Sequence, residues 1–92
     1  MYDEKRVAQL DPIRAAIHGA GLPLVKIRKL NTILNALEVQ LEEGGDSPEV
    51  NDLLLMALRQ AVDFHLGPDR GRSILTAIGR FAVTEKKRLP DR

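Results

Sequence analysis

Three clusters of glycine and proline constrain this chain more than any other feature, because they divide its 92 residues into four segments. The clusters lie at 19–23, 44–48 and 67–71. Each pairs a glycine, which suits the left-handed position after a helix, with a proline, which suits the first turn of the next helix. The segments between them show a helical spacing of apolar residues and no strand-like alternation. The sequence therefore predicts an all-α fold, an up-down bundle of four helices.

The chain is long enough for one hydrophobic core, so we predict a single helical domain over residues 1–92. Residues 1–10 are expected to form either a flexible arm or an extra helical turn, and residues 89–92 a frayed tail. The sequence has no cysteine, which excludes disulfides, thiolate zinc sites and a cysteine nucleophile. It also has no apolar run of signal-peptide or membrane-spanning length, so we expect a cytoplasmic protein with no membrane contact.

Three of the predicted helices have one clear apolar face. In the first, Asp11 and Pro12 look like a cap followed by a first-turn proline, but apolar spacing continues upstream, so the helix either starts at Pro12 or kinks there. The second, about 23–43, has a seam of Ile27, Leu30, Leu34, Leu37 and Leu41, extended by Val25, Ile33 and Val39. The fourth, about 72–88, presents Ile74, Leu75, Ile78, Phe81 and Ala82.

The third predicted helix starts at Ser47 and Pro48, stops before Gly67, and is apolar around more than half of its circumference. We assign one seam to the core, consisting of Val50, Leu54, Ala57, Ala61 and Phe64. A second stripe is displaced by about a quarter turn and consists of Leu55, Leu58, Val62 and Leu66. Because the first helix is short, we expect this second stripe to be a protein interface, covered by dimerisation or by a larger assembly. The central helix of a compact monomer would have the same composition.

Charge is nearly balanced over the whole chain, with a net charge of +1, but the cations are unevenly placed. In an up-down bundle the second and fourth helices run parallel, so their N-termini share one end. That end would gather five cations, with His18 and His65 nearby: Lys26, Arg28, Lys29, Arg70 and Arg72. We expect this basic end to contact an anion, either phosphate or the acidic surface of a partner.

No motif for catalysis, metal binding or cofactor binding is present. The two histidines lack a metal-ligand pattern, and Ser47 and Ser73 lie where helices begin, which indicates capping rather than nucleophilic catalysis. The sequence therefore predicts a non-enzymatic interaction module, an adaptor, regulator or small subunit, whose partner is another protein or a second copy, with a homodimer favoured. The alternative is a nucleic-acid-binding protein that contacts phosphates through the basic end and the cationic last helix. No small-molecule substrate is expected.

Overall fold

The computed structural model describes residues 4–42 and 47–88, and every regular element in these residues is an α-helix. The helices are α1 (Glu4–Ala8), α2 (Asp11–His18), α3 (Leu24–Glu42), α4 (Pro48–Arg70) and α5 (Arg72–Arg88). The first predicted helix corresponds to α1 and α2 together, and the second, third and fourth to α3, α4 and α5. The prediction of an all-α fold is confirmed.

A break separates α1 from α2 just before the first proline of the chain. The amide of Leu10 donates to the carbonyl of Val7 at 3.0 Å, a tight bond that closes the first helix. Pro12 lies in the first turn of α2, and without an N–H it could not donate to the carbonyl of Ala8 in a continuous helix. Residues 4–10 contain the short helix α1 and the turn after it, and Leu10 is fully buried. Residues 1–3 and 89–92 lie outside the described residues.

The apolar faces predicted for α3 and α5 are the ones that the structure buries. The fully or nearly fully enclosed side chains on these two helices are Leu30, Leu34, Leu37, Leu41, Ile74, Ile78 and Phe81. Val25 and Val39 are 61% and 47% exposed, so these two valines do not extend the seam of α3.

The ends of α4 follow from its first and last residues. Ser47 is extended (φ −92°, ψ 124°), and its hydroxyl accepts a hydrogen bond from the amide of Val50 at 3.4 Å, which makes it the N-cap. Gly67 adopts φ 81° and ψ 168°, a conformation that side chains disfavour, and it interrupts the helix. Pro68–Arg70 adds one short turn after this kink. The predicted start of the third helix is confirmed; its predicted end coincides with the kink at Gly67, beyond which α4 continues to Arg70.

The four longer helices pack in a closed ring: α3 against α4, α4 against α5, α5 against α2, and α2 against α3, while α1 packs on α3. Lys26 Nζ donates to the backbone oxygen of His65 at 3.4 Å. The start of α3 therefore lies beside the end of α4, and these two helices run in opposite directions. The ring encloses one core, formed by Leu10, Ile13, Ile17, Leu22, Leu30, Leu34, Leu37, Leu41, Leu55, Leu58, Val62, Leu66, Ile74, Ile78 and Phe81.

Two predictions about α4 are wrong. The seam assigned to the core is not buried, with Val50 39% and Phe64 85% exposed. The stripe expected to remain for a partner is enclosed by the chain itself, with exposed fractions of 4% for Leu55, 1% for Leu58, 0% for Val62 and 9% for Leu66. The physical reason is that α3 and α5 flank α4, and α2 closes the ring between them, so this side of α4 faces a complete core. No second copy is required to cover it.

Candidate protein-interaction surface

The face of α4 that points away from the core is also apolar. Val50 is 39% exposed, Leu53 63% and Phe64 85%, and the half-buried Ala57 lies between them along the helix. At about 100° per residue, these four side chains fall within about 60° of one another and lie roughly opposite the buried Leu55. We call Val50, Leu53, Ala57 and Phe64 the outer stripe.

Alignment distinguishes the outer stripe from ordinary surface apolar residues. Single exposed apolar side chains are common on folded proteins and need no explanation. Here three of them share one helix face, and the half-buried Leu54 and Ala61 border that face. Burying a side chain such as Phe64 completely would contribute about 1.5–3 kcal/mol. A contiguous apolar strip that stays in water is typical of a surface that contacts another molecule.

Phe64 lies near the end of α4, and its ring is 85% exposed. Its ring packs edge-on against the ring of His65, with centroids 5.1 Å apart and planes at 80°. His65 is half-buried, and its backbone oxygen accepts the hydrogen bond from Lys26. The exposed Val25 directly precedes Lys26, so it lies at the same end of the molecule as Phe64.

The predicted basic end is only partly assembled. Lys26 is half-buried and bonded to His65, whereas the other four cations are exposed: Arg28, Lys29, Arg70 and Arg72. Arg28 follows Lys26 by two residues and so points roughly 160° away from it around α3. Arg72 lies 4.0 Å from the carboxylate of Asp69, a fully solvated pair. The cations of α3 therefore point to different sides, and the arrangement favours a diffuse basic region over a fixed anion site.

A buried ion pair lies on the other side of α4, and the sequence did not reveal it. Arg6 is 4% exposed, its Nε lies 3.4 Å from Oε2 of Glu85, and its Nη2 bonds the other carboxylate oxygen. Together with Leu55 and Phe81, these two residues line a hollow of about 190 Å³ between α4 and α5. The pair links the first helix to the last turns of α5.

The serine and histidine side chains that could take part in catalysis or metal binding either make structural hydrogen bonds or lie exposed. The Ser47 hydroxyl donates to the Glu49 carboxylate at 2.7 Å, which lowers the pKa of Glu49, and it also caps α4. Ser73 lies exposed in the first turn of α5, and His18 is exposed at the end of α2. Within residues 4–42 and 47–88, no cluster of three or more His, Cys, Asp or Glu side chains is placed to hold a metal ion. In the same part of the chain, no helix combines the length and the hydropathy needed to cross a bilayer.

Comparisons of the chain with protein-family models, with curated proteins and with solved structures find no match. The outer stripe combines exposure with alignment along one helix.

Proposed function

We propose that this chain is a non-enzymatic helical interaction module, an adaptor, regulator or small subunit of a larger assembly, and that its outer stripe docks a helix of a protein partner. The observation that carries the proposal is the 85% exposure of Phe64, in line with the exposed Leu53 and Val50 on the same face of α4. The helix keeps this apolar face although its opposite face already supplies the core.

The spacing of the outer stripe favours a helix as the docked element. Val50, Leu53, Ala57 and Phe64 are separated by three, four and seven residues, which is the pattern by which one helix packs along another. Ala57 stands in the middle, and a small side chain there permits helix axes to approach to about 8–10 Å. A partner helix with an apolar face of similar length would cover Phe64 and Leu53 together.

Site-specific photo-crosslinking in cells tests the proposal. We would place a photoreactive phenylalanine analogue at position 64 in one variant and at position 83 in another, since Val83 is also exposed, at 54%, but lies on α5. We expect position 64, and not position 83, to crosslink a protein that mass spectrometry identifies. That protein should then form a stoichiometric complex with the purified wild-type chain and not with Leu53→Asp.

Two results would contradict the proposal. Equal crosslinking from positions 64 and 83 would show that the contacts are collisional. An identified complex that Leu53→Asp leaves intact would show that another surface does the binding. Circular dichroism of Leu53→Asp serves as the folding control, because an exposed side chain can accept a charge without unfolding the core.

A further inference from the structure

We infer that Gly67 and Pro68 keep the last helix on its own chain, because together they prevent domain swapping of α5 between two copies. In the exchanged form that they disfavour, α4 and α5 would join as one long helix, and α5 would enter the core of the other copy. This role does not involve the outer stripe, because the side chains that α5 would exchange are ones that each chain already buries.

The reversal of direction between α4 and α5 is concentrated at one residue. Between Pro48 and Gly71 only Gly67 has non-helical backbone angles, φ 81° and ψ 168°. After it, the amide of Gly71 donates to the carbonyl of Gly67 at 3.0 Å, and the amide of Leu75 donates to the carbonyl of Gly71 at 2.9 Å. Both bonds join residues four apart, so α-helical bonding continues through Gly71. A change of backbone angles at Gly67, with a smaller one at Gly71 (φ −86°, ψ −1°), would therefore align α4 with α5.

Pro68 opposes that alignment. Proline has no N–H, and in a continuous helix its ring would clash with the carbonyl four residues earlier, which is that of Phe64. It also disfavours helical angles at the preceding residue, Gly67. In the observed hairpin Pro68 begins a new turn, where neither restriction applies. Pro68 therefore disfavours the aligned form of each chain by roughly a hundredfold relative to a helix-forming residue.

Gly67 allows the hairpin without backbone strain. Its positive φ lies in a region that L side chains disfavour and that glycine adopts readily. A Cβ on Gly67 would meet nothing within 4 Å, so the backbone conformation, and not crowding, requires glycine at this position. The two residues thus act on both forms of the chain, since Gly67 favours the reversed form and Pro68 disfavours the straight one.

The rest of the fold does not distinguish the two forms. α5 packs against α4 and α2, and it contributes Ile74, Ile78 and Phe81 to the core. A second copy offers the same surfaces, and Glu85 would pair with Arg6 of that copy as it does within one chain. Domain swapping preserves such contacts and changes the connection between the exchanged element and its own chain. The residues at that connection therefore decide whether the monomer or the exchanged dimer forms.

Four chains test this role: the wild type, Gly67→Ala, Pro68→Ala and the variant with both changes. Each would be refolded at about 100 µM, and light scattering after size-exclusion chromatography would measure the dimer fraction. We expect a monomeric wild type, a less stable monomer for Gly67→Ala and a predominant dimer for the double variant. Pro68→Ala alone should raise the association constant by at least about a hundredfold.

Gly21→Ala is the matched control. Gly21 has φ 71°, and a Cβ there would also meet nothing within 4 Å, but it lies in the loop between α2 and α3. The substitution imposes a similar backbone strain without affecting the connection to α5. Gly21→Ala should therefore lose stability and remain monomeric.

A distance within one chain distinguishes exchange from ordinary association. Met56 and Ala82 line one groove between α4 and α5, so spin labels on Met56→Cys and Val83→Cys lie close together in the hairpin. In the aligned helix, a rise of about 1.5 Å per residue places them about 40 Å apart. The double variant with these cysteines would be refolded with an excess of unlabelled chain, so that double electron–electron resonance measures distances within one chain.

Two results would overturn this role for Gly67 and Pro68. One is a double variant that regains its full helical circular dichroism and stays monomeric, and the other is a dimer in which the distance within one chain remains short. If the double variant does not refold, Pro68→Ala decides, because it keeps Gly67, and an association constant equal to that of the wild type would also overturn the role. None of these results changes what position 64 crosslinks, so the proposed function is tested separately.

Discussion

The buried ion pair between Arg6 and Glu85 joins residues 79 positions apart in the chain. A charge removed from water is costly unless an opposite charge and hydrogen bonds compensate for it, so the two residues depend on each other. Nothing around Arg6 in the sequence indicates burial, since it follows Asp3, Glu4 and Lys5 in a charged segment. Its environment is set by how α1 lies against α5, a tertiary relation that no local pattern records.

Glu85→Leu should lower the free energy of unfolding by about 3 kcal/mol, because it removes the Glu85 carboxylate that compensates the buried charge of Arg6. The value is at the lower end for such losses, since the adjoining hollow can admit water. Arg6→Leu combined with Glu85→Leu should recover most of the loss, because an apolar pair satisfies the same space. Urea denaturation of the wild type, the single variant and the double variant measures the free energy of unfolding of each. A double variant no more stable than Glu85→Leu would show that the two side chains are not energetically coupled.

Ser47 and Glu49 form the second residue-scale contact that a titration can test. The Ser47 hydroxyl donates to the Glu49 carboxylate and lowers its pKa, so the contact favours the folded chain above the unfolded-state pKa of that carboxyl. This contribution is lost as the pH falls through the folded-state pKa. Ser47→Ala should move the pKa of Glu49 up toward its ordinary value. Carboxyl carbon chemical shifts followed by NMR between pH 2 and pH 7 would show it, and an unchanged pKa would assign the shift to another cause.

At the scale of the element, α4 shows both what the sequence predicts and where it fails. Its limits were predictable, because Ser47, Pro48 and Gly67 act locally on the backbone. That α4 has two apolar faces was also predictable from residue spacing. Which face turns inward was not, because both fit a helical period. The structure buries the face of Leu55, Leu58, Val62 and Leu66, together with Asn51, and leaves outside the one that contains Ala57 and Ala61. Larger aliphatic side chains fill a core better, and that difference was the available signal.

A pair of alanine substitutions on α4 separates the two faces. Leu58→Ala should lower the free energy of unfolding by about 2–5 kcal/mol, since Leu58 is 1% exposed and its loss leaves a cavity. Phe64→Ala should change it by no more than about 0.5 kcal/mol, because that ring lies in water. Chemical denaturation at low micromolar concentration measures both. If Phe64→Ala proved the more damaging change, the assignment of faces on α4 would be wrong.

Two glycines near and within α5 give a matched test of packing at the turn from α4. A Cβ on Gly71 would lie 2.6 Å from Cγ1 of Val62 and 3.0 Å from the carbonyl of Gly67, so Gly71→Ala should destabilise the chain by about 1–3 kcal/mol. A Cβ on Gly79 would meet nothing within 4 Å. Gly79→Ala should therefore stabilise α5 by about 0.5–1 kcal/mol. Thermal melting of the two variants should shift in opposite directions, and a shared direction would contradict the close approach at Gly71.

At the scale of the whole molecule, the chain encloses its own core. The sequence did not decide whether a second copy was needed to complete that core. A radius of gyration of 12.9 Å is close to the value of about 12 Å for a compact chain of this length. The sequence suggested that the first predicted helix was too short to cover the stripe of Leu55, Leu58, Val62 and Leu66 on α4. In the structure, however, α1 and α2 are not the only helices that cover this stripe. The longer helices α3 and α5 flank α4, and α2 completes the ring. Such a ring depends on how helices of unequal length cross, which periodicity does not specify.

A closed core predicts that the monomer is the folding unit, and the concentration dependence of melting tests this. If a partner copy completed the core, dilution would unfold the chain, and the melting temperature would rise steadily with concentration. A closed monomer should instead melt within about 1 °C of the same temperature between 1 and 20 µM. Circular dichroism at these concentrations makes the measurement. Loss of helical signal at 1 µM would mean that burial of Leu55, Leu58 and Val62 within one chain does not suffice to hold the fold.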